Sequence, residues 1–421
     1  MHMHSYRVAI VSIGDEVLNG DTLNTNAQWI ATQCTRLGAH VVEQRTIPDS
    51  VSAITATLTS LNPSVELIIT TGGLGPTHDD LTVAALAEFF GDELVEDIST
   101  LEYLHQYAAA RGRNMTERLR KQALVPSSAR VLPNRVGTAP GLLFARREGA
   151  SVVVLPGVPR EMEAIMTESV IPWLTEQIGT GGYSVVRERV LLTAGVPESE
   201  LADRIEPIRS QLPAEVDIAF LPGAMTVRLR LRARGTVDSV EKTLDHATAL
   251  LTPLLGTSLL SDRNERLVEV LQRRCIEQQK TLAVAESCTG GMLGAEITSV
   301  PGSSAYFLGG LICYSDAVKI HFGGVRPETL STYGAVSQQT VEELSRYIRA
   351  AYGSDIAVAI SGVAGPGGGT EEKPVGTVWI AVADRHGVQA RKFLFTTDRQ
   401  TNRTRACAAA ILMVLERLQS D

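Results

Sequence analysis

The chain has 421 residues, and because single domains usually hold about 100 to 200 residues, we expect two or three domains. Apolar residues make up 44% and charged residues 20%, a composition that indicates a folded globular protein and argues against disorder. The net charge of -8 argues against a protein that coats nucleic acid. The sequence has no apolar run long enough for a membrane segment. Its five cysteines are scattered, which argues against a disulfide framework and a zinc site. We expect a cytoplasmic protein.

The first 170 residues alternate between predicted strands and helices. Apolar runs at residues 8–11, 65–69 and 152–155 are each followed by glycine or proline and indicate buried parallel strands. Between the first two, apolar residues at helical spacing predict a helix that ends at Gly38. This βαβ order places ligand-binding loops at the carboxyl ends of strands.

Two motifs follow strands in this region, GDEVLNG at residues 14–20 and a glycine-rich run at residues 70–82. Paired carboxylates after a glycine turn suit Mg²⁺, while glycine amides and asparagines can hold a nucleotide or pterin. The alternative is that Asp79 and Asp80 cap the following helix. The candidate site, with Asp79 and Asp80 as metal ligands, is Glu16, Asn24, Asn26, Gly72, Gly73, Gly75, Asp79 and Asp80.

A small α+β module follows, with the order strand, helix, strand, strand, helix between residues 185 and 255. Strict alternation over residues 227–234 puts four arginines on one face of a strand. This face is either a nucleic-acid stripe or a solvated sheet face or subunit contact, and the acidic whole favours the second interpretation.

A third unit, again α/β, begins near residue 260 with a predicted helix at 265–279 and a strand at 281–285. The strand runs into AESCTGG (residues 285–291), with a helix predicted from Met292. Ser287 therefore lies at a helix start, where free backbone N–H groups can stabilise an oxyanion or a phosphate. A structural N-cap serine is the alternative.

Two further motifs accompany this serine. Tyr314 closes an apolar strand and Lys319 follows five residues later, and a lysine desolvated in a cleft can act as the base for a serine, although a surface lysine is the alternative. The loop at residues 361–370 is rich in glycine amides that can wrap an anion, unless it is a flexible hairpin loop. Arg403 and Arg405 are either phosphate partners or helix-start salt bridges.

AESCTGG, GGLICYSDAVK (309–319), GAVS (334–337) and SGVAGPGGGTEEKPVGTV (361–378) closely resemble the C-terminal domain of the competence/damage-inducible protein CinA family. That domain is similar to nicotinamide-nucleotide amidohydrolases. The resemblance implies metal-independent and cofactor-independent hydrolysis of nicotinamide mononucleotide to nicotinate mononucleotide and ammonia. It implies that Ser287 attacks the carboxamide carbon, while Lys319, aided by Tyr314, accepts the proton. We assign substrate contacts to Thr289, Gly290, Gly291, Ser361, Gly365, Gly367, Gly368, Thr377 and Arg403.

The two N-terminal motifs, together with NRVGTAPG (134–141) and LPGVPREM (155–162), resemble the molybdopterin-binding family shared with MogA-type and MoeA-type proteins. In CinA-like chains this implies an ADP-ribose pyrophosphatase that uses Mg²⁺ or another divalent cation. The middle module resembles the KH-type insert of CinA proteins, but it has no GxxG loop, so we do not expect nucleic acid as a partner.

The sequence therefore predicts an α/β protein with two α/β sandwich domains of mostly parallel sheets, linked by a KH-type α+β module. We place the domains at residues 1–172, 173–260 and 261–421. We expect a homodimer whose small-molecule ligands are nicotinamide mononucleotide and ADP-ribose, with no membrane partner. The alternatives are a non-catalytic nucleotide or pterin sensor linked to competence or DNA damage, and a metal-dependent hydrolase that works only through Asp79 and Asp80.

Overall fold

Residues 5–75, 81–145, 149–180, 183 and 185–419 are described by a computed structural model. Their contacts divide the chain into two compact units. The first is Met1–Glu188 with Ala214–Asp217 and Arg232–Asp245, and the second is Arg189–Pro213 with Ile218–Leu231 and His246–Asp421.

The N-terminal region is an α/β fold built on one six-stranded sheet. Its elements are β1 (Arg7–Ile13), α1 (Asp15–Leu18), α2 (Thr25–Leu37), β2 (His40–Ile47), α3 (Val51–Leu61), β3 (Leu67–Thr71), α4 (Thr82–Phe90), β4 (Leu94–Glu96), α5 (Ile98–Ala109), α6 (Glu117–Arg120), β5 (Leu124–Pro126), β6 (Arg130–Leu132), β7 (Gly141–Phe144), β8 (Ser151–Leu155), α7 (Pro159–Ile165) and α8 (Ile171–Thr180). The sheet order is β2-β1-β3-β8-β7-β6. The first four of these strands are parallel, as predicted, and the last two are antiparallel.

Helix α2 shows how local sequence sets these bounds. The Asn24 side chain accepts a hydrogen bond from the backbone N–H of Ala27 at 3.2 Å and so caps the first turn. Gly38 ends the helix in a left-handed conformation with φ 93°. The apolar side of the helix, including Ile30 and Cys34, is buried, which confirms the predicted helix.

The middle module consists of β9 (Val185–Ala194), α9 (Glu198–Ile205), β10 (Val216–Pro222), β11 (Thr226–Gly235), α10 (Val237–Leu255) and β12 (Leu259–Ser261). Its sheet order is β10-β11-β9-β12, which confirms the predicted order of elements and adds a short fourth strand. The alternation of β11 is also confirmed, because its apolar residues are buried while its arginines are at least partly exposed. One of these arginines, Arg232, lies 3.8 Å from Glu188 and is partly neutralised by it.

The C-terminal region is a three-layer α/β sandwich. Its elements are α11 (Leu267–Glu277), β13 (Leu282–Glu286), α12 (Met292–Thr298), β14 (Phe307–Ile312), α13 (Asp316–His321), α14 (Pro327–Tyr333), α15 (Gln338–Tyr352), β15 (Ile356–Gly362), β16 (Thr377–Asp384), β17 (Gly387–Leu394) and α16 (Arg399–Gln419). The sheet order is β14-β13-β15-β16-β17. The first three strands are parallel, and β16 and β17 are antiparallel.

The two faces of this sheet carry side chains of different size. On β13, Leu282 and Val284 enter the core cluster that contains residues of α11 and α16, while Ala283 and Ala285 face the cluster with α15. This follows from the alternation of side chains along a strand. A strand that is buried on both faces reads as a continuous apolar run, and the predicted strand at 281–285 is confirmed with bounds one residue later.

The predicted fold class is confirmed, since mostly parallel sheets form two α/β regions with an α+β module between them. All five cysteines are buried and unpaired, as expected of small apolar residues rather than of disulfides. Within the described ranges, no helix combines the length and apolar character that a membrane crossing requires.

Candidate functional site

Three of the sequence motifs meet at one edge of the C-terminal sheet. Strands β14, β13 and β15 are parallel neighbours, so their carboxyl ends lie side by side. The backbone N–H of Ser287 donates to the carbonyl of Ile360 at 3.0 Å, and that of Cys313 donates to the carbonyl of Glu286 at 2.8 Å. The Ser287 turn, the Tyr314–Lys319 segment and the glycine loop at 361–370 therefore surround a single edge.

The nucleophile turn spans residues 287–291 and connects β13 to α12. Gly290 and Gly291 have φ values of 59° and 91°, a left-handed backbone that glycine adopts without strain. The N–H of Gly290 donates to the carbonyl of Ser287 at 3.1 Å. Within the described residues, the N–H of Thr289 donates no hydrogen bond and that of Cys288 contacts only the thiol of its own side chain, so these two amides can stabilise an oxyanion beside Ser287.

The start of α12 is occupied by a side chain that sequence reasoning did not single out. The carboxylate of Glu286 accepts hydrogen bonds from the backbone N–H groups of Gly291, Leu293 and Gly294 at 3.1, 3.0 and 2.8 Å. The expectation of free amides at this helix start is therefore corrected for Gly291, and the N–H of Gly290 is likewise engaged. The one signal in the sequence is a carboxylate directly before a glycine turn that leads into a helix.

Lys319 is not a surface lysine. It lies on α13 with only 1% of its surface exposed. Its ammonium nitrogen donates to the carbonyl of Tyr314 at 3.1 Å and lies 3.7 Å from Oδ1 of Asp316. Among the described residues no hydrogen bond joins Lys319 to Ser287, so the proposed base is sequestered beside the turn rather than already bonded to the nucleophile.

Cys288 has the surroundings of a core residue. Burial raises the pKa of its thiol to about 12, against smaller lowering effects that include the positive charges of Arg403 and Lys319. These two cations therefore lie near the nucleophile turn. A thiol with so high a pKa carries little thiolate at neutral pH.

Two arginines one turn apart begin α16 and reach different loops of the site. Arg399 donates to the carbonyl of Gly365 at 2.6 Å and to the hydroxyl of Tyr314 at 3.2 Å. Arg403 donates to the carbonyl of Thr289 at 2.6 Å. Neither makes an ion pair with a carboxylate in the part of the chain that is described. Two cations without an acidic partner favour an anion subsite.

Sequence reasoning named Arg403 but missed Arg399. It named Arg405 as well, but no contact joins Arg405 to the loops of this site among the described residues. Tyr314 is 59% exposed, and its hydroxyl lies at the mouth of the site beside Arg399. Arg399, Arg403 and Arg405 are close in sequence at the start of α16. Their different contacts become visible only in the folded structure.

The glycine loop is held at its base by buried polar groups. The buried Asn402 side chain donates to the carbonyl of Ala364 at 3.1 Å. The Ser361 hydroxyl donates to the carbonyl of Ala335 at 2.7 Å, so this serine supports the loop from below. Thr377 is fully buried, and its hydroxyl has no partner among the described residues. Within the loop, Gly365 and Gly368 have left-handed backbone with φ values of 92° and 85°.

Three of the N-terminal candidate residues, Asn24, Asn26 and Gly72, lie at the carboxyl ends of β1, β3 and β8. The Asn26 side chain, 9% exposed, donates to the Thr71 hydroxyl at 3.0 Å and to the carbonyl of Gly157 at 2.8 Å. Its Oδ1 is buried without a described partner. A Cβ added at Gly72 would lie 2.0 Å from the carbonyl oxygen of Ile13, so only glycine fits there.

The remaining N-terminal residues have mixed outcomes. Asn24 caps α2 and donates to the Ser12 hydroxyl at 2.9 Å, and Glu16 is exposed on α1. Gly73 adopts φ 67° beside Thr82, and the described part of this loop ends at Gly75. Asp79 and Asp80 lie outside the described residues, so both the metal assignment and the capping alternative stay predictions. Among the residues that are described, no group of three or more His, Cys, Asp or Glu side chains is arranged to hold a metal.

Three family models match consecutive parts of the chain. Residues 9–176 match the model described as Probable molybdopterin binding domain, residues 188–259 match Damage-inducible protein CinA KH domain, and residues 264–418 match CinA C-terminal domain. A CinA-like protein from Gemmatimonas aurantiaca is 39% identical over 406 residues, which are 96% of this chain and 94% of the relative. A CinA-like protein from Chlorobaculum tepidum is 37% identical over 98% of this chain and 99% of the relative.

A crystal structure of a competence or damage-inducible protein from Enterobacter asburiae is 37% identical in sequence. It covers 36% of this chain and 96% of its own, with a TM-score of 0.35.

Proposed function

Because the chain belongs to the CinA family, we propose that its C-terminal domain hydrolyses the carboxamide of nicotinamide mononucleotide to nicotinate mononucleotide and ammonia. The observation that carries the proposal is the meeting of a serine turn, a buried lysine and two arginines without acidic partners at one sheet edge. The serine and lysine suit amide hydrolysis, and the arginines suit a phosphate.

The chemistry follows from this placement. The Ser287 hydroxyl attacks the amide carbon while Lys319, aided by Tyr314, acts as the base that accepts the hydroxyl proton. The carbonyl oxygen becomes an oxyanion that the N–H groups of Cys288 and Thr289 stabilise. The proton passes to the amide nitrogen, the C–N bond breaks, and ammonia leaves an acyl-enzyme that water hydrolyses to the carboxylate.

The substrate's phosphate is assigned to Arg399 and Arg403. Both guanidinium groups are anchored by a backbone carbonyl and retain further N–H donors for an anion. The net charge of the chain is -8, so this pair is a local exception to an acidic whole. It favours a mononucleotide, which carries a phosphate, over the riboside, which has none.

For the N-terminal domain we propose a metal-dependent ADP-ribose pyrophosphatase. The buried Oδ1 of Asn26, which has no partner among the described residues, supports a polar ligand at the strand ends. Adjacent carboxylates such as Asp79 and Asp80 are hard oxygen donors that suit Mg²⁺, which would offset the negative charge of a pyrophosphate. We also propose that the protein is cytoplasmic and that it forms a homodimer through the middle module.

The rival proposal is a non-catalytic nucleotide sensor, which binds nucleotide without consuming it. The test incubates the full chain with nicotinamide mononucleotide and measures ammonia and nicotinate mononucleotide together. We expect turnover that Lys319→Arg lowers about 10²- to 10⁴-fold, because arginine cannot give up its proton to act as a base. Binding of the mononucleotide by calorimetry without product would favour the sensor.

The phosphate assignment has its own arm in this assay. Arg399→Ala should raise KM for the mononucleotide about tenfold and remove most of the preference over nicotinamide riboside, since a charge-assisted contact contributes about 1.5–3 kcal/mol. Arg346→Ala, which removes only an exposed ion pair with Glu342 on α15, is the matched control and should leave KM unchanged. An unaltered KM in Arg399→Ala would contradict the assignment.

A further inference from the structure

Glu286 is a buried carboxylate at the end of a central strand. Its backbone pairs with Ile312 on β14 and Ile360 on β15, and 2% of its surface is exposed. The side chain turns forward along the chain and reaches the first turn of α12, where both of its oxygens accept backbone hydrogen bonds. It lies directly beside Ser287 in sequence.

The charge of Glu286 is compensated by backbone groups. Within the described residues, no lysine, arginine or histidine forms an ion pair with it. A buried carboxylate without a cation is costly unless it is fully hydrogen-bonded. The three N–H donors and the positive end of the helix supply that compensation, so the carboxylate and this helix start depend on each other.

These bonds close the nucleophile turn at both ends. The N–H of Ser287 is held by Ile360 of β15, and the N–H of Gly291 is held by the Glu286 side chain at 3.1 Å. Between them the chain is fixed through the bond from Gly290 to Ser287. The amides of Cys288 and Thr289 are the two that this arrangement leaves for substrate.

The same carboxylate makes the helix start unsuitable for an anion. A negative group already occupies the amides that a phosphate would need, and a second negative charge beside it would be repelled. The arginines that lack acidic partners lie instead at the start of α16. We therefore assign the carboxamide of the substrate to the Ser287 turn at the start of α12. Its phosphate is assigned to the arginines at the start of α16.

We propose that Glu286 is a positioning residue that locks the Ser287 turn in its reactive conformation and directs the substrate's phosphate away from α12 to Arg399 and Arg403. This inference rests on the proposed amide hydrolysis. Glu286 touches neither substrate nor the reacting atoms, and it acts through the turn that carries Ser287.

The test compares Glu286→Gln with a matched carboxylate at the other end of β13. Asp355 accepts hydrogen bonds from the N–H and hydroxyl of Thr281 at 2.9 and 2.7 Å, so Asp355→Asn removes a similar bridge far from the turn. Glu286→Gln should lower kcat about 10²-fold with KM changed less than about threefold, because small misplacements of a reacting group cost rate rather than binding. Asp355→Asn should change neither constant.

Two further measurements separate positioning from loss of fold. Hydrogen exchange of the backbone amides in the peptide spanning residues 287–294 should be faster in Glu286→Gln than in the wild type and unchanged in Asp355→Asn. In Glu286→Ala, sodium formate should raise the deamidation rate at least about fivefold and saturably, since it restores a carboxylate to the helix start. The wild type should not respond to formate.

Several outcomes would overturn the proposal. They are a wild-type kcat in Glu286→Gln, unchanged exchange of the 287–294 peptide, or a rise in KM without a fall in kcat. If the wild type itself releases no ammonia, the proposed function fails. The exchange comparison then still decides whether Glu286 holds the turn.

Discussion

Ser287 and Cys288 are adjacent residues of one turn, and their side chains lie in different surroundings. Cys288 belongs to the hydrophobic cluster beneath the sheet, and burial raises the pKa of its thiol to about 12. Ser287 lies at the carboxyl end of β13, where its backbone N–H is bonded to the carbonyl of Ile360.

Alanine substitutions at the two positions identify the nucleophile. Cys288→Ala should retain at least about half of the wild-type deamidase rate, whereas Ser287→Ala should lose about 10³-fold or more, as expected for a missing nucleophile. Iodoacetamide at pH 8 should leave the wild type active, because with a pKa of about 12 only about one thiol in 10⁴ is a thiolate at that pH. Ammonia release from nicotinamide mononucleotide measures all three.

The raised pKa of the Cys288 thiol determines how alkylation depends on pH. The folded-state pKa of Cys288 lies above the ordinary value of 9.0, so native protein becomes sensitive to alkylation only as pH rises toward the folded-state pKa. Denatured protein should react readily at pH 8. An active Ser287→Ala enzyme that iodoacetamide inactivates would move the nucleophile to Cys288.

At the scale of helices and strands, local patterns predicted the elements better than the contacts between them. The alternation of β11 and the spacing in α2 are local properties, and both are confirmed. The bond from Arg399 to Gly365 joins residues 34 positions apart. Neither helical periodicity nor a capping rule predicts such a long-range contact. The sequence could therefore locate the helix start, but it could not identify Arg399 as the arginine that contacts the glycine loop.

The helix predicted at 265–279 shows how side chains move an element's boundary. The observed helix α11 is Leu267–Glu277. Glu265 lies before it because its carboxylate bonds to Arg273 at 2.8 Å and to the Ser261 hydroxyl at 2.5 Å. These hydrogen bonds lower the pKa of Glu265 against the opposing effect of burial. An acidic residue in the first turn of a helix is stabilised by the helix dipole. Here the bonds to Arg273 and Ser261 hold Glu265 outside the first turn.

The end of the glycine loop offers a test of backbone geometry. Gly376 has φ 92°, and a Cβ added there would lie 1.7 Å from the carbonyl oxygen of Phe395. Gly376→Ala should therefore lower the free energy of unfolding by at least about 2 kcal/mol, through backbone strain and a clash with main chain. Thermal unfolding followed by circular dichroism measures the change.

Gly367 is the matched control for stability in the same loop. A Cβ there would meet no atom within 4 Å, so Gly367→Ala should change the free energy of unfolding by less than about 0.5 kcal/mol. Equal melting temperatures for the two variants would show that the close approach of Gly376 to Phe395 is absent in solution.

For the whole molecule, composition predicted several domains and an acidic globular protein, and motif order predicted which family model matches each part of the chain. The sequence motifs also placed the two candidate sites in separate domains. The candidate residues of the two sites lie in different compact units. We therefore expect the two activities to respond independently.

Removal of metal should distinguish deamidation from hydrolysis of ADP-ribose. In excess EDTA the full chain should keep its deamidase rate, since the proposed serine chemistry has no step that needs a metal, and it should lose hydrolysis of ADP-ribose. Asp79→Asn with Asp80→Asn should have the same selective effect in the presence of Mg²⁺. Chromatography of both reactions measures the two rates in one sample. Deamidation that disappears with chelator and returns with Mg²⁺ would contradict the serine mechanism.

Helix α16 contains both the arginines of the proposed phosphate site and a large part of the hydrophobic core. Its first turns carry Arg399 and Arg403, and the rest of the helix, from Ala406 to Leu418, lies largely in the core beneath the sheet. A nucleotide held by those arginines therefore restrains an element whose departure would open the core. At a ligand concentration of 100 Kd this linkage adds about 2.7 kcal/mol to the stability of the native state. The cell's supply of pyridine mononucleotide would then govern how long each molecule survives proteolysis, as well as how fast it works.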